Sequence, residues 1–301
     1  MFVTEDVGDR LDSYLTERFE TLSRSKIQKL IKSHDVLVNG KPQKPSYAVN
    51  FMDSIVINLK TDEPIKLNPQ NIPLDIVYED ENMLVVNKPS DMLTHPTAQE
   101  TENTLVNALL YKYGDNLSDL NGDMRRGIIH RLDRNTSGLL MVAKNNDAHA
   151  YLAEQIKNRS IVKKYLGIVK GQLKDDFGII DAPLGRNPKN PTKNAVIDDG
   201  KPSITEYKVL ERFKECTYVE FNLITGRTHQ IRVHSSYLNH PILNDTLYGG
   251  GGFKIKTQEQ VLQSYKLEFA KPFCGDIIKL QIDEDEKIKK VLNWLKNKET
   301  K

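Results

Sequence analysis

Residues 127–144, GIIHRLDRNTSGLLMVAK, set a charged and hydroxylated stretch between two apolar runs. A plain hairpin turn is content with Asn-Gly or Asp-Gly. Arg131, Asp133, Arg134, Asn135, Thr136 and Ser137 exceed what such a turn requires. With strands over 127–132 and 138–144, the joint would project Asp133 from a strand end between two arginines. A carboxylate beside arginine stays ionised at neutral pH and is held in one orientation. That is the state required of a nucleophile or a base. The bland alternative is a loop aspartate that caps a turn through its side chain, with Thr136 and Ser137 doing likewise. A second polar segment, LITGRTHQIRVHSSYLNHPILNDTLYG at 223–249, offers Arg227, whose planar fork suits a carboxylate; after Gly226 it could equally cap a helix or reach a phosphate. Tyr165, in KKYLGIVKG, offers an aromatic face but sits in an apolar run, as core tyrosines do.

Other chemistries find little foothold. Cys216 and Cys274 are the only cysteines and form no C-x-x-C pair, so neither a disulfide framework nor a cysteine zinc site is expected. His229 and His234 stand five apart, which points them to different faces of a helix, so no metal is expected. The chain has no G-x-G-x-x-G, no G-x-x-x-x-G-K-[ST] and no G-x-S-x-G, and no cofactor is expected. The four glycines at 249–252 read as a mobile loop.

The elements that must position these residues follow from periodicity. With 301 residues, 38% hydrophobic and 28% charged, the chain can bury a large core and a smaller one. No apolar run approaches the roughly 20 residues of a membrane span. The N-terminus lacks a basic stretch followed by an apolar one, so no secretory signal and a cytosolic location are expected. Leu11, Tyr14, Leu15 and Phe19 have helical spacing; Ser23 or Ser25 would cap a second helix with Ile27, Leu30 and Ile31 as its apolar stripe. Strands DVLVNGKPQ and DSIVINL complete a helix-helix-strand module over 1–60. Residues 61–73, with three prolines and no periodicity, read as a linker to a domain over 74–301. There, strand-like runs (VYEDENMLVVNK, GIIHRLD, GLLMVAK, SIVKKYLGIVKG, TEYKVLERF, TYVEFNLI, KLEFAKPF) mix with helices at 103–112, 146–158, 228–238 and the C-terminus. Strands and helices do not alternate strictly, which predicts an α+β fold with a mixed, mainly antiparallel sheet.

Net charge is only +2, yet basic residues cluster. Residues 23–44 hold Arg24, Lys26, Lys29, Lys32, Lys41 and Lys44 against Asp35; residues 125–144 hold Arg125, Arg126, Arg131, Arg134 and Lys144 against Asp133. Such patches suit either a polyanion or a solvated face.

Two resemblances sharpen this reading. RLDSYL, SRSKIQKLIK, VLVNGK and DSIVI resemble the S4 RNA-binding domain, with Met52 where that family usually has Gly. HRLDRNTSGLLMVAK resembles the active-site motif of the RluA-type pseudouridine synthases, and VYEDENMLVVNKPSDMLTHP, KKYLGIVKG and the 223–249 segment resemble their other motifs. Asp91 stands where that family commonly has Gly; Asp tolerates positive φ better than most residues. The resemblance implies that Asp133 is the catalytic carboxylate, Arg227 the arginine that pairs with it, Tyr165 the stacking partner of the target base, and Arg131 the residue that enters the space left by a flipped nucleotide. Arg24, Lys26, Lys29, Lys32 and Arg134 would contact RNA, His130, Thr136 and Ser137 would be scaffold, and Lys88 and His229 would support the structure or touch RNA. The implied substrate is structured RNA, ribosomal in the first instance and transfer RNA in the second, with a monomer as the default state. A binding protein with a decayed catalytic fold and a two-carboxylate hydrolase stand as alternatives.

Overall fold

A computed structural model describes residues 2–59 and 67–299 except 4, 20, 21, 23, 256, 258 and 259. The chain divides into two compact units, 1–66 and 67–301.

In the first unit, α1 (Leu11–Arg18) and α2 (Arg24–Lys32) pack with a sheet of order β2-β1-β3, from β1 (Val36–Val38), β2 (Lys41–Pro42) and β3 (Ile55–Ile57). The expected stripes form its core: Leu11, Tyr14 and Leu15 of α1 and Ile27, Leu30 and Ile31 of α2 are buried with Val36, Val38 and Ile55. Ser25 lies inside α2 rather than capping it, and Ser23 is outside the described residues. Buried Asp12 ties the helices together, accepting from Arg10 Nε at 3.0 Å, Gln28 Nε2 at 2.7 Å and Arg24 Nη2 at 3.3 Å. The Arg10 hydrogen bond, against the opposing effect of burial, holds this carboxyl well below the usual range. Met52 adopts a φ of 65° without glycine. Asp53 closes that turn, accepting from Asn50 N at 2.8 Å, Tyr47 Oη at 2.9 Å and Asn39 Nδ2 at 2.7 Å.

The second unit is built on a nine-stranded sheet of order β4-β5-β6-β13-β7-β12-β11-β8, with β14 also on β13. The strands are β4 (Ile76–Glu79), β5 (Met83–Lys88), β6 (Ser137–Ala143), β7 (Val162–Lys170), β8 (Phe177–Asp181), β11 (Ile204–Arg212), β12 (Cys216–Leu223), β13 (Leu262–Ala270) and β14 (Ile277–Gln281); β9 (Leu184–Arg186) and β10 (Asn194–Val196) form a separate hairpin. All pairs are antiparallel except β13 with β6, so the sheet is mixed and mainly antiparallel, as expected. Its helices are α3 (Leu105–Tyr113), α4 (Asn146–Lys157), α5 (Gln230–Tyr237) and α6 (Glu286–Glu299). Alternation along β5 and β6 covers both faces: Leu84, Val86, Leu140 and Val142 face the α3 side, and Met83, Val85, Leu139 and Met141 pack with Leu152 of α4. The apolar face of α6, Ile288, Val291, Leu292 and Leu295, closes a further core over Ile168, Phe213 and Tyr218.

Three expectations need correction or qualification. GIIHRLD is not a strand: only Ile128 bridges to Val142, because His130 Nε2 takes the Met141 N–H at 3.0 Å and Thr94 takes the backbone of Leu132, so side chains occupy the groups a ladder would use. Of the 249–252 glycines, Gly250 is closely packed rather than loose. Gly250 lies so close to Ile242 that a Cβ would stand 1.7 Å from its carbonyl oxygen, and Gly250 N and O bond Asp245 O and Asn244 N at 2.7 and 2.8 Å. Of the expected linker, 61–66 lie outside the described residues. Residues 67–73 have no regular structure, yet they bond α3 through Gln70 N to Asn107 O at 3.0 Å and Asn107 Nδ2 to Asn68 O at 2.8 Å.

Candidate active site

Asp133 sits in a loop, residues 127–136, that precedes β6, and that loop is anchored almost atom by atom. Thr94 Oγ1 donates to Leu132 O at 2.9 Å, Lys88 Nζ to Arg134 O at 3.0 Å, and Ser90 Oγ and Lys287 Nζ to Asn135 O at 3.0 and 2.8 Å. Ser137 Oγ donates to Asp285, which precedes α6. Lys88 is wholly buried and its ammonium also reaches Pro89 O and Met92 O at 2.7 and 2.8 Å; burial, then the charge of Lys287, pulls it down to about 7. Asp91, in the turn these carbonyls define, takes a φ of 66°. His130 is held down to about 3 by desolvation and then by Lys163, consistent with a neutral ring accepting from Met141 N. Loop atoms that lack strand partners thus find side-chain partners, and the Asp133 carboxylate is left as the group the loop presents.

The carboxylate is 15% exposed. Its Oδ2 accepts from Arg232 Nη1 at 3.0 Å, and its Oδ1 lies 3.8 Å from His229 Nε2. Arg232, on α5 and 7% exposed, at the same time forks onto fully buried Asp245, Nε to Oδ2 at 2.7 Å and Nη2 to Oδ1 at 2.9 Å. Burial alone would lower this guanidinium; Asp245 and then Asp133 raise it instead, so it is a permanent cation. Tyr248 flanks it, 5.1 Å from ring centroid to Cζ, and its hydroxyl meets His229 Nδ1 at 2.9 Å. Desolvation lowers the His229 pKa.

Asp133 opens into a cavity of about 240 Å³, also lined by Arg131, Lys163, Tyr165, Arg227 and His229. Tyr165 stands on β7 opposite Phe221 and Ser264, 6% exposed, with its phenol pKa raised by burial. A carboxylate held by an arginine, an aromatic ring and cations around one small cavity can receive a single nucleoside and act on its sugar.

Residues 82–237 match the family model of RNA pseudouridylate synthases, and residues 9–55 match that of the S4 domain. The chain is 40% identical, over 98% of its length and 96% of the other's, to an uncharacterized RNA pseudouridine synthase of Aquifex aeolicus. It is 42% identical to ribosomal large subunit pseudouridine synthase D of Escherichia coli K12, over 81% of this chain and 74% of that one. Among solved structures, human RNA pseudouridylate synthase domain containing 1 superposes with a TM-score of 0.59 at 27% identity, covering 71% of this chain and 84% of that one.

The chain is an RNA pseudouridylate synthase.

It therefore belongs to a family of isomerases acting on RNA, and it carries an S4 domain. Within the synthase cavity the structure brings together Asp133, Tyr165, Arg131 and Arg227, but it corrects one pairing. Arg227 does not hold Asp133: it is exposed, and its Nε donates to Pro202 O at 3.3 Å. The partner is Arg232, because α5 begins at Gln230, leaving Arg227 in the preceding loop while Arg232 projects from the helix toward the buried side. Sequence reasoning misses Arg232; the available signal is a charge flanked by two apolar residues, Ile231 and Val233, both buried in the fold. Arg134 is engaged by Glu100, and Arg24 by Asp12, whereas Lys29 and Lys32 are exposed on α2. Among the described residues no helix is long and apolar enough to cross a membrane.

Proposed function

We propose that this synthase isomerises uridines of structured ribosomal RNA in the cytoplasm, with Asp133 as the carboxylate that works at the ribose of an extruded nucleotide. The observation that carries the reading is the Asp133–Arg232 contact of 3.0 Å at the mouth of a nucleoside-sized cavity whose wall holds Tyr165. The N1–C1′ bond breaks, the base turns over, and a C5–C1′ bond forms. Asp133 either attacks C1′ or takes a ribose proton, and both routes need an oriented carboxylate, whose orientation the Arg232 hydrogen bond fixes. Tyr165 stacks on the detached uracil; stacking on an aromatic contributes roughly 1–3 kcal/mol per base. Exposed Arg131 enters the gap left in the RNA, and Arg227, freed from Asp133, reaches a phosphate beside the cavity. Lys26, Lys29 and Lys32 of α2, with Arg24, give the S4 domain a basic helix for the RNA backbone. The ribosomal target is favoured by relatives named ribosomal large subunit pseudouridine synthase D; transfer RNA is the alternative target.

The test follows from bond accounting, since C5 loses its hydrogen. RNA carrying tritium at uridine C5 should release label to water with the unaltered protein. Asp133→Asn should abolish release while RNA binding stays within about twofold. Binding without release by the unaltered protein would identify a decayed enzyme.

A further inference from the structure

Resting on the isomerase reading, we propose that Lys163 is a catalytic residue that holds the detached uracil as its anion, through a hydrogen bond from its ammonium to a pyrimidine carbonyl oxygen. Lys163 and Tyr165 are two apart on β7, so both side chains leave the same face of the strand, and both line the cavity that Asp133 opens into. Lys163 is only 6% exposed, yet among the described residues no hydrogen bond or ion pair engages its ammonium. Its sequence neighbour makes the contrast: Lys164, on the opposite face, pairs with Glu220 at 2.7 Å. The Lys163 ammonium lies 3.7 Å from where a Cβ on Gly226 would stand, so the 226 loop passes close by with no side chain in between. The same cavity is lined by uncharged Ile129, Ile156 and Leu262 with neutral His130, and its carboxylate, Asp133, is engaged by Arg232 rather than by Lys163. Burial lowers its pKa with no opposing contribution from a carboxylate.

A buried cation with no counter-charge is costly unless a guest supplies one. The reaction supplies it. When the N1–C1′ bond breaks, its electron pair leaves with the base, and the uracil becomes a monoanion delocalised over N1, O2, O4 and C5. An ammonium hydrogen-bonded to O2 or O4 stabilises that charge as it develops, as oxyanion donors do, and transfers no proton. C5 then attacks C1′ with its own pair, the C5 proton passes to solvent, and N1 takes one up. Substrate, product and proton count balance without a co-reactant. The same contact keeps the freed ring in the cavity while Tyr165 provides the plane on which it turns.

The experiment uses the full chain, Lys163→Met and Lys163→Arg, on two transcripts of large-subunit ribosomal RNA, one made with uridine and one with 5-fluorouridine. Fluorine at C5 makes the base a better leaving group that needs less stabilisation. Lys163→Met should slow single-turnover consumption of uridine about 100-fold and of 5-fluorouridine about tenfold or less, with Lys163→Arg recovering part of the rate. Its melting temperature should hold or rise, because an unpaired buried charge has been removed, and its RNA affinity should stay within about twofold. Equal slowing on both transcripts, undiminished activity, or a fall in melting temperature that accounts for the lost rate would overturn the assignment. Failure of the unaltered protein to convert uridine in ribosomal or transfer RNA would instead remove the isomerase reading beneath it.

Discussion

Arg232 serves two carboxylates at once, and the consequences of losing it are therefore double. Asp245, fully buried, also accepts from Leu247 N and Tyr248 N at 3.1 and 3.2 Å, so its charge cannot retreat to water. Arg232→Gln should cost about 3–5 kcal/mol of stability by stranding that charge, and it should abolish tritium release as well. Arg227→Gln should leave the melting curve unchanged and weaken RNA binding, since its fork meets only a carbonyl at 3.3 Å. Denaturant melts and binding isotherms on the two variants separate these outcomes; equal damage from both would contradict the pairing. The sequence offered two arginines five positions apart in one segment, and only the start of α5 decides which of them faces inward.

At the scale of elements, the catalytic loop depends on a strand crossing and on α6. Gly138 has a φ of 112°, and a Cβ there would stand 2.0 Å from Ser264 O, where β6 meets β13 in their short parallel pairing. Gly138→Ala should therefore cost more than about 3 kcal/mol, combining backbone strain with overpacking, and soluble yield with thermal melting would register it. Lys287, at the start of α6, donates to Ser90 Oγ, Asn135 O and Gln260 O at 3.0, 2.8 and 3.2 Å. Lys287→Met should loosen the loop beneath Asp133 and lower kcat about tenfold with KM little changed, a charge-assisted hydrogen bond being worth roughly 1.5–3 kcal/mol. The helices were legible from 3.6-residue spacing, and most strands from their apolar runs. The run at 127–132 misled because its apolar residues are buried by a loop that side chains hold, a solution that periodicity cannot distinguish from a strand.

For the molecule as a whole, acidification below neutral pH acts in one direction. His95 and His130 are held down to about 4 and about 3 in the folded chain by desolvation first, against an ordinary 6.5, and His149, His229 and His234 are lowered too. The unfolded chain takes up these protons near pH 6.5 and the folded chain only well below it. The histidines' contribution to stability should thus be fully present above pH 6.5 and fall progressively toward pH 3. The lowered carboxyl of Asp12 adds loss of the same sign at the acid end of that window. Melting temperatures measured from pH 8 to pH 4 test this, and a flat profile would contradict it. In the S4 unit, exposed Lys29 and Lys32 belong to the helix that carries the basic charge. Changing both to Ala should reduce the salt dependence of RNA binding by a slope of about 1.4–1.8, if each neutralises one phosphate.

The sequence by itself determined the residue types and most of the local elements: an aspartate among arginines ahead of an apolar strand, a tyrosine two after a lysine, a basic helix, and an aspartate at position 91 that accepts positive φ. These are matters of spacing and local backbone preference, which a linear pattern carries. Tertiary structure alone decided that Arg232 holds Asp133, that Lys88 and Lys287 tie down the loop, and that Lys163 faces the cavity without a counter-charge. Each depends on distances between residues as many as 152 positions apart, as with Lys287 and Asn135. Such contacts are set by how the sheet and helices pack, and no local preference of the chain encodes them.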